Sequence, residues 1–202
     1  GILPEALLNY LARLCWGHGD DEVFSIEQFV EWFDLDNISA SPARFDMKKL
    51  FWVNAQHIKT LSNEQLLALV SEAKWNLETP DLTFASSFAE RLAELDITAI
   101  LDLVRARSDN LNSIAAEVAY FYQPRTPLAE DSAKHLTEDA QLVLNKFANS
   151  LELLSEWSLD AIKLAIKEFC SEQNVKMPQL GMPLRLKLCG TTQTPSFDAV
   201  IH

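Results

Sequence analysis

Apolar residues recur at three- and four-residue intervals along most of the chain, the spacing that gathers them on one face of a 3.6-residue helix. Leu7, Leu8, Leu11 and Leu14 predict the buried face of a first helix beginning near Pro4, a residue suited to a first helical turn. Ser25 and Gln28 have the S-x-x-Q spacing of a capping box ahead of Phe29, Val30 and Phe33, and Asp34-Leu35-Asp36 breaks that helix. Asp46 is placed to cap a run starting at Met47. There Leu50, Val53, Ile58 and Leu61 share one side, and Lys48, Trp52, Gln56 and Lys59 share another. Ser62 and Gln65 form a second capping box before Leu66, Leu69, Val70 and Ala73.

Further helices are predicted over 84–95, over 98–107 with Ile100, Leu101 and Val104 inward, and over 111–122. Glu78-Thr79-Pro80-Asp81 reads as a turn at a subdomain joint, and Gln123-Pro124-Arg125-Thr126-Pro127 as a linker. Amphipathic runs follow at 131–136, 138–153 and 159–172, the last capped by Ser158, with Trp157 and Phe169 read as core. In the closing segment Leu184, Leu186 and Leu188 alternate as in a short strand. The flanking Gly181 and Gly190 fit a short helix equally well. Ser196 is placed to cap a final helix. Only five glycines occur, none between Asp20 and Leu180, whereas an all-β or dinucleotide-binding domain needs them at its turns. The fold class is therefore all-α.

Composition narrows this picture without naming a function. At 48% hydrophobic and 23% charged, the 202 residues belong to a folded protein, and no apolar run reaches bilayer-spanning length. Three widely spaced cysteines, at 15, 170 and 189, fit neither a disulfide framework nor a zinc site, and a reducing cytoplasm is expected. A chain opening at Gly1 reads as a fragment or a processed product.

Charge changes the picture more. The net charge of −12 argues against indiscriminate nucleic-acid binding. Yet in residues 41–59, Arg44, Lys48, Lys49 and Lys59 against Asp46 give +3, leaving −15 on everything else. With Trp52 among them, these cations suit contact with a sugar-phosphate backbone, and they suit a plain solvated helix surface too. Arg105 and Arg107 sit where a helix macrodipole favours cations, and spacing alone makes them a C-terminal charge cap. The loop Trp16-Gly17-His18-Gly19-Asp20 is either an RNA or substrate contact or, the favoured reading, a glycine turn with Trp16 packed inward.

Catalytic chemistry is missing. No phosphate loop, Walker motif, HExxH or metal-ligand spacing occurs, and the histidines at 18, 57, 135 and 202 are scattered. Cys15 near His18, on a leucine-rich helix, reads as buried packing rather than a nucleophile. Lys176-Met177 opens like a KMSKS loop, but Pro178-Gln179-Leu180 does not continue it.

Three stretches together carry a resemblance: GILPEALLNYLARLCWGHGDDEVFS, SPARFDMKKLFWVNAQHIK and GMPLRLKLCGTTQTPSFDAVIH. In this order they resemble bacterial glutamyl-tRNA synthetases beyond the catalytic KMSKS-type loop. The resemblance implies an elongated array of helical subdomains without the Rossmann catalytic domain. The implied divisions are a stem-contact domain (1–70) and two anticodon-binding subdomains (71–127 and 128–202). It implies tRNA(Glu) as partner, a monomer, and no part for membrane or DNA. ATP and Mg²⁺ would serve the parent ligase, with no cofactor, metal or catalytic residue in these residues themselves. Arg107 falls where discriminating members read the last anticodon base. Arg185, Thr194, Pro195 and Phe197 fall on positions surrounding anticodon bases, and Arg44, Lys48, Lys49, Trp52 and Lys59 on the stem-contact segment. Departures include Cys15 in place of the family's usual Gly, Gly17 in place of Ser, and Asp109-Asn110 in place of a commoner Lys-Thr pair. The alternative is a helical protein-interaction module that has kept the architecture without the RNA role; the net charge is its best support.

Overall fold

The computed structural model describes residues 1–40, 42–72, 97–122 and 126–202. Among them the secondary structure is helical, with one isolated antiparallel bridge between Trp16 and Ile38. The helices are α1 (Pro4–Cys15), α2 (Ile26–Trp32), α3 (Met47–Thr60), α4 (Asn63–Glu72), α5 (Ile97–Arg105) and α6 (Leu111–Tyr122). They continue with α7 (Ala129–His135), α8 (Glu138–Glu152), α9 (Leu159–Glu172), α10 (Met177–Cys189) and α11 (Phe197–Ile201). The ambiguous leucine run at 184–188 is thus helical. The predicted helix at 84–95, the turn at 78–81 and most of the linker at 123–127 lie outside the described residues. The chain packs as two compact units, Gly1–Val118 and Ala119–His202.

In the first unit, local capping sets the helix starts. The Ser25–Gln28 box is reciprocal, each side chain meeting the other residue's backbone N–H at 2.9–3.1 Å. Ser62 and Gln65 do the same at 2.8–3.1 Å. Asp46 accepts from the N–H groups of Lys48 and Lys49. α1 packs on α3 and α2, and α4 packs on α5. The face of α1 that enters the core differs from the leucine face expected. Ala6, Asn9 and Tyr10 are buried, while Leu7, Leu8 and Leu11 remain exposed. The reason lies in α3. The small Ala6 lets the helices approach, and the Tyr10 hydroxyl accepts the Asp46 N–H at the start of α3. Trp16 is buried against Phe24 and Phe29, with ring centroids 5.7 and 5.2 Å away, as the turn reading required. Cys15 is exposed, contrary to the packing expected of it, because the inward stripe of α1 passes through Ala6 and Tyr10.

Two buried asparagines tie this unit together. Asn9 donates to the Glu22 carbonyl and accepts from the Phe24 N–H and from His57 Nε2 at 2.9 Å. Asn54 accepts the Leu3 N–H and donates to the carbonyls of Gly1 and Asp109. A buried side-chain amide satisfied this fully holds its surroundings in one arrangement.

The second unit is built around Phe147, Ile162, Ile166, Phe169 and Leu180, with the Phe147 and Phe169 rings 5.1 Å apart. α8 packs on α9 and α10, α7 on α10, and α11 on α9 and α10. Ser158 caps α9, its hydroxyl accepting the Ala161 N–H. Ser196 occupies the N-cap position of α11 without a side-chain cap bond. Trp157 is 52% exposed rather than core. It stands instead at the edge of an open hollow of about 560 Å³ lined by Leu144, Phe147, Leu151, Leu184 and Leu188. Phe169 is packed instead against Phe147 from the adjoining helix.

Candidate nucleic-acid interface

On α3, residues 48, 52 and 59 stand at i, i+4 and i+11, close to one line along the helix. Lys48 and Lys59 are exposed, as is the indole of Trp52, and Arg44 is exposed on the segment leading into the helix. Lys49 differs. Its ammonium is ion-paired with Glu22 and lies 4.2 Å from the centre of the Trp52 ring. A cation so engaged fixes the indole and offers less charge to a phosphate than its neighbours do. Glu22 lies outside the +3 segment and was invisible to a charge count along the sequence. The surface therefore presents Lys48 and Lys59 along the same line as a braced aromatic ring, with Arg44 on the segment before the helix.

Arg105 and Arg107 are separated by the structure into two kinds of residue. Arg105 donates to the Leu61 carbonyl at 2.8 Å and pairs with Asp102, with its side chain only 14% exposed. It is a structural tie between α5 and the end of α3. Arg107 lies in the turn after α5 with its side chain 32% exposed, its Nε 3.3 Å from Glu117 Oε2 on α6. Ser108 is buried behind it, the hydroxyl donating to the Val104 carbonyl.

In the second unit the four positions singled out near the chain's end come together. Arg185, on α10, donates from Nε to Thr194 Oγ1 at 3.1 Å, and Thr194 donates in turn to the Pro195 carbonyl at 2.8 Å. The Arg185 guanidinium carbon is 5.6 Å from the centre of the Phe197 ring. Thr194 and Pro195 are buried, so they form the wall against which the guanidinium rests. Two glycines make the approach possible. Gly190 closes α10 in the left-handed conformation, φ 67°, and turns the chain back toward Arg185. Gly181 lies one turn before Arg185, where a Cβ would stand only 3.1 Å from the Phe197 ring. Burial pushes the nearby Cys189 thiol up to about 11 against the opposing pull of Arg185, so it remains a neutral packing group. The cluster offers the terminal guanidinium donors, an apolar wall and an aromatic face, with the Thr194 hydroxyl committed to holding Arg185. Such groups can stack on and hydrogen-bond an unstacked base.

Sequence reasoning missed Glu22, Glu117 and the two asparagines. A signal existed for some of them. Asn54 interrupts the apolar stripe of α3, and Glu117 stands beside Ile114 and Val118 on α6, so each is a polar residue on or beside a buried stripe. Nothing local marked Glu22.

Comparison with known proteins identifies relatives and a family. The whole chain is 48% identical to the glutamate–tRNA ligase of Neisseria meningitidis serogroup C and 50% identical to that of Chromobacterium violaceum, over 201 residues. It spans 41% of the length of each. Among solved structures it is similar to a glutamate tRNA ligase from Elizabethkingia meningosepticum in complex with its amino acid. That likeness has a TM-score of 0.75 and 25% identity over 99% of this chain and 38% of that one. The family model described as the anticodon binding domain matches residues 83–202, a span holding Arg107 and the whole Arg185 cluster. With more than half its length inside that match, the chain belongs to the anticodon binding domain family.

Proposed function

We propose that these residues bind and orient tRNA(Glu) for an ATP- and Mg²⁺-dependent glutamate–tRNA ligase acting in the cytoplasm, with the ligation chemistry lying outside them. In this reading residues 1–70 contact the tRNA stem, and 71–127 and 128–202 read the anticodon as a monomer. The observation that carries it is the assembly of Arg185, Thr194, Pro195 and Phe197 around one guanidinium. These residues come from two ends of a sharp turn, and although Phe197 also packs on the core, the Arg185 guanidinium is held at its edge by Thr194. Arg107 reads the last anticodon base, while Arg44, Lys48, Lys49, Trp52 and Lys59 steady the stem. The first group specifies and the second positions, the usual division between base and phosphate contacts.

The test is fluorescence anisotropy with labelled tRNA(Glu) and an unrelated tRNA at two salt concentrations. Arg185→Ala and Arg107→Ala should each cut the preference for tRNA(Glu) roughly tenfold, in line with about 1–3 kcal/mol for a good guanidinium–base contact. Equal binding of both tRNAs by the unaltered chain, or indifference to both substitutions, would overturn the reading.

A further inference from the structure

Arg107 is held at both ends. Its backbone N–H donates to the Val104 carbonyl at 3.2 Å, and the adjoining Ser108 is pinned to the same carbonyl. The far side of this turn is fixed as well, the Asp109 carbonyl by Asn54 and the start of α6 by Asn110, which accepts the Ser113 N–H. At the other end the Nε edge of the guanidinium lies 3.3 Å from Glu117 Oε2, an ion pair without the alignment of a hydrogen bond. A guanidinium carries five N–H donors, one on Nε and four on the terminal nitrogens. Among the described residues, those four make no other hydrogen bond or ion pair.

The charge arrangement is selective too. Asp102 is committed to Arg105, and the Asp109 carboxylate accepts from Asn110, so among the described residues Glu117 is the carboxylate that pairs with Arg107, beside a further interaction of its own. With side chains 32% and 21% exposed, the pair lies within reach of a ligand but partly shielded from water. Such a pair adds little to fold stability. Its consequence is directional, because a fixed guanidinium loses less freedom on binding than a free one. It is also electrostatic, because the adjoining carboxylate offsets the attraction of any passing phosphate.

We propose that Glu117 is a positioning residue for Arg107, one that makes its terminal nitrogens a directional base reader instead of a general phosphate clamp. This rests on the reading of Arg107 as an anticodon contact. The experiment compares binding of a tRNA(Glu) transcript with binding of the same transcript carrying a changed third anticodon base. It does so across a salt series for the unaltered chain, Arg107→Ala and Glu117→Gln. The amide of Glu117→Gln keeps the shape and an acceptor oxygen while removing the charge. It should lower the ratio between the two transcripts roughly three- to tenfold. It should also strengthen binding of both at low salt and steepen the salt dependence by roughly 0.7–0.9 in logarithmic slope.

If Arg107→Ala lowers the ratio while Glu117→Gln leaves ratio and slope unchanged, the positioning role is wrong and the base reading stands. A fall in ratio without a change in slope also overturns it, since a loosened fold would do that much. If Arg107→Ala itself leaves the ratio unchanged, the base reading fails and takes the proposal with it. Should Glu117→Gln lose its helical circular dichroism, Glu117→Met carries the test, since it too removes the charge at similar volume and must both lower the ratio and steepen the salt dependence.

Discussion

At the scale of the residue, Asn9 and His57 form a pair whose protonation matters to the fold. The Phe24 N–H fixes the Asn9 amide oxygen as an acceptor, so His57 must present Nε2–H to it. Burial holds the His57 pKa below its ordinary value, against the opposing pull of Glu5. The unfolded chain therefore takes up this proton at a higher pH than the native state does. It follows that the contribution of His57 to stability is complete above the ordinary imidazole range and is lost as pH falls through the lowered native value. Thermal melts at neutral and mildly acidic pH should show this loss. In His57→Gln, whose amide can still donate to Asn9 but cannot titrate, the fall with acid should be shallower. An equal fall in both proteins would show that other groups carry it.

At the scale of the element, α1 shows where a sequence pattern stops being decisive. Its leucines at 7, 8, 11 and 14 form the more hydrophobic stripe, yet the stripe through Ala6 and Tyr10 faces α3. Tyr10→Ala should cost about 3–5 kcal/mol, as for other large aromatic truncations in a core. Leu11→Gln should fall within about 0.5 kcal/mol of no effect, as most surface changes do. Urea unfolding of the two variants decides between the stripes. Several helix starts, by contrast, were legible, because a capping box is written within four residues, as at Ser25 and Ser62, whereas the start of α10 at Met177 was not. The α3 stripe through Leu50, Val53 and Ile58 was legible for the same local reason. The candidate site divides along the same line. The positions of Arg107 and Arg185 could be marked by resemblance, and Arg185 with Thr194 is only nine residues apart. What could not be read were partners set by tertiary packing. Glu22 neutralises Lys49, Glu117 steers Arg107, and the Leu61 carbonyl claims Arg105. Each depends on which helix comes alongside, and no spacing along the chain encodes it.

At the scale of the whole molecule, a net charge of −12 makes placement of the few available cations decisive. Lys48→Ala and Lys59→Ala should each weaken all tRNAs alike and reduce the salt slope by roughly 0.7–0.9, the loss of one phosphate contact. Lys49→Ala should change the slope less, since its charge is already answered by Glu22. Salt titrations of the three variants against one tRNA are enough to check the order. The first unit has one more property that follows from Asn54. This buried amide, together with the Leu111 N–H, holds the carbonyl of Gly1, so residues far apart in the chain share one small knot of hydrogen bonds. On a ribosome adding about 5–20 residues each second, roughly 5–20 seconds separate the emergence of the two ends. From the synthesis of Asn54 onward, its amide can meet Leu3 and Gly1 but lacks the Asp109 carbonyl, and the Gly1 carbonyl lacks the Leu111 N–H. Completion of this unit is thus timed by synthesis of α6, and until then its apolar surfaces remain open to whatever else the cell offers.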